Sequence, residues 1–253
     1  MVVDTAAVQR AYCGIRWLAF RSYYRAVHEN YDRKLLTTRK ETPGGSFRSY
    51  ELYNRHGDDE MLRELVGYCG PTDTVYDIGA NVGVFSLALA AGPSDRDIVA
   101  VEPAPPVVDR LRANVRLNDL EDQIHVAALG LGDKRGTHPF YLSTYSELSG
   151  YDRASATRWE ADVAEETRAP MRRLDDLVAN YPAPDVLKID VEGAGPAVLR
   201  GGRRVLREYA PAVFLELHEE GLPGERAARA RDCLTAVGYT VHERDDYWLC
   251  TVN

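Results

Sequence analysis

Tyr239-Thr240-Val241-His242 and Tyr247-Trp248-Leu249-Cys250-Thr251-Val252 are two β-type runs with only Glu243-Arg244-Asp245-Asp246 between them. A parallel crossover needs a dozen or more residues, so this pair must be an antiparallel hairpin. The chain before it follows another rule. From Thr74, short apolar strands alternate with helical patterns: strand Thr74 to Ile78, helix Val84 to Ala91 closed by Gly92-Pro93, strand Ile98 to Glu102, and a helix opened by Pro105-Pro106. Strand Gln123 to Ala128, a short helix Leu174 to Asn180, strand Val186 to Asp190, helix Ala197 to Tyr209, strand Ala212 to Leu217 and helix Gly224 to Val237 follow. Such alternation predicts a doubly wound, mostly parallel α/β sheet covered on both faces. A nicotinamide-binding dehydrogenase fold would continue βαβ to its end, whereas this sheet closes on a reversed pair. Residues 1–62 stand outside the pattern and are expected to form a helical N-terminal extension, with residues 63–253 as the main domain.

Composition narrows the class. A chain of 253 residues can bury a substantial single core, and 45% hydrophobic with 28% charged residues excludes wholesale disorder. Cys13, Cys69, Cys233 and Cys250 lie far apart, which excludes a C-x-x-C metal or redox motif and points to reduced thiols. The absence of a long apolar run and of a signal-peptide pattern predicts a cytoplasmic enzyme. The net charge of -8 is uneven: residues 1–50 carry nine basic against four acidic residues, and the rest is strongly acidic. An acidic body argues against nucleic acid as a partner.

Asp77-Ile78-Gly79-Ala80-Asn81-Val82-Gly83 leaves the first strand and enters a helix, where open sheets bind ligands beyond the carboxyl ends of their strands. The spacing is not that of a pyrophosphate-gripping G-x-G-x-x-G and suits a ligand with an amino-acid tail. Glu102 ends the next strand, where an acid can accept both hydroxyls of a nucleoside ribose.

Val75 to Gly83, Val101-Glu102-Pro103, Leu174-Asp175-Asp176-Leu177 and Leu187-Lys188-Ile189-Asp190-Val191-Glu192-Gly193 together resemble the FkbM-type methyltransferases over roughly residues 74–220. The resemblance implies a class I methyltransferase fold, S-adenosylmethionine as the methyl donor, and O-methylation of hydroxyls on sugars or polyketide-type products. It puts Asp77, Gly79, Asn81, Gly83 and Glu102 on cofactor-binding positions. The chain departs from the family where Gly195-Pro196 replaces an acid, which keeps a catalytically silent relative among the readings.

Two strands carry charge. The period of two puts Lys188 and Asp190 on one face, and Glu216 and His218 on one face of the next strand. Buried ions need partners, so Lys188 with Glu216 and Asp190 with His218 are the expected pairs. Asp190 ends a central strand, and Asp190, His218 and Glu192 are the catalytic candidates: a hydroxyl must lose its proton as it attacks, so a nearby base helps. The spacing requires no metal. Residues 141–170 read as a lid over the acceptor or a long surface loop, with Tyr145, Ser146 and Tyr151 as candidate sugar contacts. Residues 10–28 interleave aromatic residues with arginines, and packing on the domain or across a homodimer is favoured over contact with a membrane surface. The expected function is O-methylation of a glycan or glycosylated small molecule.

Overall fold

A computed structural model describes residues 22–54, 56–158, 161–217 and 224–252. Residues 22–33 form helix α1. Strands β1 (Thr38–Thr42) and β2 (Gly45–Ser49) follow as an antiparallel hairpin. The N-terminal extension is therefore not wholly helical as expected, because Pro43-Gly44-Gly45 turns the chain back on itself. Most of the 10–28 segment lies outside the described residues, although Val27 and Tyr31 of α1 are buried in the domain.

Helix α2 (Glu60–Tyr68) leads into β3 (Thr74–Ile78), α3 (Val84–Ala90), β4 (Asp97–Val101), α4 (Pro105–Leu117) and β5 (Ile124–Ala127). Then come β6 (Gly130–Leu131), β7 (Gly136–Ser143), α5 (Arg153–Ala156), β8 (Val163–Arg172), α6 (Leu174–Leu177) and β9 (Val186–Ile189). The chain closes with α7 (Gly195–Gly201), α8 (Arg203–Glu208), β10 (Ala212–Glu216), α9 (Glu225–Thr235), β11 (Tyr239–Glu243) and β12 (Tyr247–Val252).

The main sheet runs β11-β12-β10-β9-β3-β4-β5. All its pairings are parallel except those of β12, which runs antiparallel to both β10 and β11. The terminal hairpin is thus present, but only its second strand is reversed and that strand inserts between β11 and β10. This is a doubly wound, mostly parallel sheet with one reversed strand, as the sequence resemblance implies.

Alternation along the strands sorts the core into two layers. Val75, Ile98, Ala100, Val186 and Phe214 face α2, α3 and α4, where Leu62, Leu65 and Leu87 are fully buried. Their intervening neighbours Tyr76, Val99, Leu187, Ile189 and Leu215 face the layer of Leu174, Leu199, Leu206 and Leu234. Each such leucine contributes about 1.5–3 kcal/mol by leaving water.

Two expectations are corrected. The helix read as continuous from Ala197 to Tyr209 breaks into α7 and α8 at Gly201-Gly202. A side chain on Gly201 would come within 2.0 Å of the Gly132 carbonyl oxygen, so the helix passes too close to the β6 loop for any other residue. The two ends of the segment 141–170 are not irregular loop, because β7 and β8 pair antiparallel from Gly136↔Met171 onward and form with β6 a second, three-stranded sheet. Half of strand β8 is exposed and only Ala169 is buried, so its polar residues hide the period that marks a half-buried strand. This sheet, α1 and α4 share a third apolar cluster around Val27, Tyr31, Val107 and Phe140. Asn114 of α4, fully buried, bonds the parts together: its amide group donates to Tyr31 Oη (2.8 Å) and the Val82 carbonyl (2.9 Å), and its oxygen accepts from the Tyr50 N–H (3.2 Å).

Candidate active site

A cleft of about 1310 Å³ opens where β3, β4 and β9 end, walled by the turn after β3, the loops around β6 and β7, and the N-terminal hairpin. Its floor is built by the turn. The N–H groups of Gly79 and Ala80 both donate to the Val101 carbonyl, each at 3.0 Å, so the chain leaving β3 is pulled over β4. Gly79 has φ +82°, and a side chain there would lie 1.8 Å from the Asp190 carbonyl oxygen, so only glycine lets the ends of β3 and β9 approach this closely.

Glu102 stands at the end of β4, buried, with one carboxylate oxygen accepting from the Asn81 N–H (3.1 Å) and the other from the Ala104 N–H (2.9 Å). Burial pushes its carboxyl up to about 7. Asn81, held at φ +49°, keeps a buried Oδ1 with no hydrogen-bond partner among the described residues.

Gly79, Asn81 and Glu102 border the cleft, but Asp77 and Gly83 do not. Asp77 is fully buried under α3, where its Oδ2 accepts from Ser86 N–H (3.1 Å) and Ser86 Oγ–H (2.6 Å) and its Oδ1 lies 3.0 Å from Lys188 Nζ. It holds the turn from behind because the alternation of β3 aims its side chain into the layer below. Gly83 caps α3 at φ +90° beneath Leu111.

The partner of Lys188 also differs from expectation. β9 lies between β3 and β10, with Lys188 in register with Asp77 on one side and Phe214 on the other. Lys188 Nζ therefore meets Asp77 and, at 3.4 Å, Asp190, and donates to the Gly79 carbonyl (3.3 Å), while Glu216 adds to its field from farther off. Its ammonium also sits 4.7 Å over the Phe85 ring. Burial alone would lower its pKa; the carboxylates of Asp77 and Asp190 outweigh that and raise it above the ordinary lysine value. Asp190 borders the cleft with its side chain 31% exposed. Glu192 also borders it and is ion-paired with Arg158, both largely buried. His218 lies outside the described residues, so its pairing with Asp190 does too. Gly195 is buried at the start of α7, where a Cβ would already meet Leu215 Cδ1 at 3.2 Å, so a larger side chain there would have to displace that leucine.

Tyr145, Ser146 and Tyr151 do line the cleft. Tyr24 of α1 stacks on Tyr145 at 5.3 Å and donates to Glu147 (2.6 Å), fastening the helix to the second sheet. Sequence reasoning missed His56, Asp59 and Lys40, which the fold brings to the same cleft. His56 Nδ1 lies 2.8 Å from Asp59 Oδ2, and its ring meets Phe85 edge-on at 5.5 Å. Burial would raise the Asp59 carboxyl, but the bonds from His56 and from the Leu62 N–H at the start of α2 hold it below the usual range. Asp59 followed by Glu60-Met61-Leu62 is a legible helix start; nothing local marks His56 or Lys40.

Residues 77–241 match the methyltransferase FkbM domain. The chain belongs to the FkbM family of methyltransferases. It is 29% identical to the 31-O-demethyl-FK506 methyltransferase FkbM of Streptomyces tacrolimicus, over 77% of this chain and 79% of that protein. With the hexuronic acid methyltransferase AglP of Haloferax volcanii the identity is 25%, over 67% and 66%. The crystal structure of an FkbM methyltransferase from Methylobacillus flagellatus superposes with a TM-score of 0.50 at 18% identity, over 73% of this chain and 45% of that one, and shares the fold. The chain spans 10% of the length of one curated relative that it matches and 66% of another. The domain is thus an S-adenosylmethionine-dependent methyltransferase domain of class I. Its cleft suits that cofactor: the orphaned Asn81 oxygen and the buried Glu102 carboxylate are acceptors facing a ligand rich in hydroxyl and amine donors.

Proposed function

We propose that this FkbM-type domain transfers the methyl group of S-adenosylmethionine to a hydroxyl of a glycan or glycosylated small molecule. The observation that carries the reading is the meeting of Glu102, the orphaned Asn81 oxygen and Asp190 around one cleft at the carboxyl end of the sheet. Glu102 accepts the ribose hydroxyls through the lone pairs its two backbone bonds leave, and Asn81 Oδ1 accepts from a donor on the same ligand. Gly79 keeps the turn low, while Asp77 and Gly83 support it from behind. Bound S-adenosylmethionine supplies an electrophilic methyl group on a sulfonium. The chain's own residues must align the acceptor oxygen in line with that carbon and take up its proton. Asp190 is suited to both tasks, since Lys188 anchors its carboxylate from below while the side chain stays open to the cleft. Glu192, locked by Arg158, shapes the mouth. Tyr145, Ser146 and Tyr151 offer aromatic faces and a hydroxyl for a sugar.

Relatives named for O-methylation of FK506 and for a hexuronic acid support an oxygen acceptor, the second a sugar. A non-sugar, polyketide-type hydroxyl is the second reading, supported by the wider coverage of the FK506 enzyme. Asp190→Asn, nearly isosteric, should keep its affinity for S-adenosylhomocysteine in calorimetric titration and lose about 10²–10⁴-fold in turnover. Undiminished transfer would move the proton to His218 or solvent. Labelled methyl transfer to a panel of uronic-acid glycans and macrolide polyols separates the two acceptor readings.

A further inference from the structure

Lys40 projects from β1 to the cleft wall, is 3% exposed, and its ammonium donates no hydrogen bond and makes no ion pair among the described residues. Glu51 acts on its ammonium through space, while across the hairpin Lys40 pairs with Phe47, a core residue. The residue is packed into the wall, while its ammonium is not among the sealed-off atoms that lack a partner, so the charge reaches the cleft with no bond or ion pair to the fold among the described residues. Among the described residues, the other cations of the cleft are placed differently from Lys40. Nine carboxylates border it against four lysine and arginine side chains. Lys188 is committed to Asp77 and Asp190, Lys134 is exposed in the loop after β6, and Arg226 is folded against Gly193. In a cleft where carboxylates outnumber these cations, a ligand carboxylate is favoured beside Lys40, the one of them packed into the wall with no bond to the fold among the described residues.

We infer that Lys40 binds a carboxylate carried by a ligand of the cleft. Two ligands can bring that group: the cofactor, through its amino-acid tail, or the methyl acceptor, if it is an acidic sugar. The inference rests on the methyltransferase reading of the cleft, and the test separates the two.

The probes are S-adenosylhomocysteine, 5′-methylthioadenosine, which keeps the nucleoside and thioether but lacks the carboxylate, and glucuronate against glucose, titrated into the full chain and into Lys40→Met. If Lys40 serves the cofactor tail, the variant should bind S-adenosylhomocysteine at least tenfold more weakly and 5′-methylthioadenosine equally well. If it serves the acceptor, both nucleosides should bind unchanged, while the preference for glucuronate over glucose seen in the parent should vanish. Either result supports the inference. Unchanged affinity for S-adenosylhomocysteine together with no Lys40-dependent binding of glucuronate overturns it, as does an equal loss of both nucleosides, which would mean a distorted site. Failure of the parent to bind either nucleoside would instead sink the cofactor reading, with the glucuronate comparison still deciding Lys40. Lys40→Met should melt no lower than the parent, and Lys40→Gln carries the same titrations if the methionine variant does not fold.

Discussion

Two lysines on the cleft wall are almost equally buried, Lys188 at 2% and Lys40 at 3% exposure, yet their surroundings are opposite. Lys188 rises from a central strand between two carboxylates and a carbonyl, and its charge is part of how the sheet holds together. Lys40 stands on a peripheral hairpin with Glu51 in its field and no bond to its ammonium among the described residues. Burial alone therefore does not distinguish a structural charge from a binding one. The partner does: where the fold supplies the counterion the residue serves stability, and where it does not, the charge is left for what enters the cleft.

The largest effect that would break this contrast concerns Lys188. Lys188→Met should destabilise the domain by about 3–5 kcal/mol in denaturant titration, because Asp77 is left charged and fully buried without its counterion. Adding Asp77→Asn should recover much of the loss. A single variant as stable as the parent would mean that the pair is not structural and that the two lysines do not differ.

Glu102 sharpens the comparison from the acidic side. Its carboxyl is raised from 4.5 to about 7 by burial, so between those values the folded state holds a proton that the unfolded state has lost. Stability contributed by the neutral form is present below pH 4.5 and falls as pH rises to about 7, a total on the order of 3 kcal/mol. Glu102→Gln should flatten that slope. A ligand whose hydroxyls donate to Glu102 favours the ionised form, so affinity for S-adenosylhomocysteine should rise between pH 6 and 8 in the parent. The variant should show no such rise and bind about 10–100-fold more weakly, the range for a lost hydrogen bond to a charged group. Affinity that is flat with pH in the parent would remove Glu102 from the cofactor.

What the sequence disclosed follows from how local each signal is. The main-sheet strands β3, β4, β5, β9 and β10 are short apolar runs, and the glycine loop with Glu102 depends on contiguous residues, so both were legible. The partner of Lys188 was not, because strand order places β9 beside β3, over 100 residues away in the chain, and register then puts Asp77 opposite it. Insertion of β12 inside the sheet, rather than at its edge, is likewise a matter of pairing that no local pattern encodes. The second sheet escaped because Glu165, Glu166 and Arg168 face solvent and Pro170 interrupts the strand pattern. His56 and Lys40 sit in segments with no period or motif, and only the docking of the hairpin brings them to the cleft.

The smallest effect tests the two lysines directly through their titration in alkali. Burial lowers the pKa of Lys40 below the ordinary 10.5, with Glu51 opposing, so as pH rises toward 10.5 the folded state sheds this proton before the unfolded state does. The unfolded chain then binds more protons, and stability gains a rising component with pH. Lys188 behaves in the reverse sense, since its raised pKa keeps the proton in the folded state after the unfolded chain has lost it, and its contribution declines above 10.5. Subtracting the stability curve of Lys40→Met from that of the parent isolates the first component from the tyrosines that titrate nearby. The parent should gain on the variant as pH approaches 10.5 without ligand. With saturating carboxylate ligand the gain should disappear, because the bound anion holds Lys40 protonated. A difference curve that is flat in both conditions would show that the Lys40 ammonium is already satisfied within the fold, and that the two lysines are alike after all.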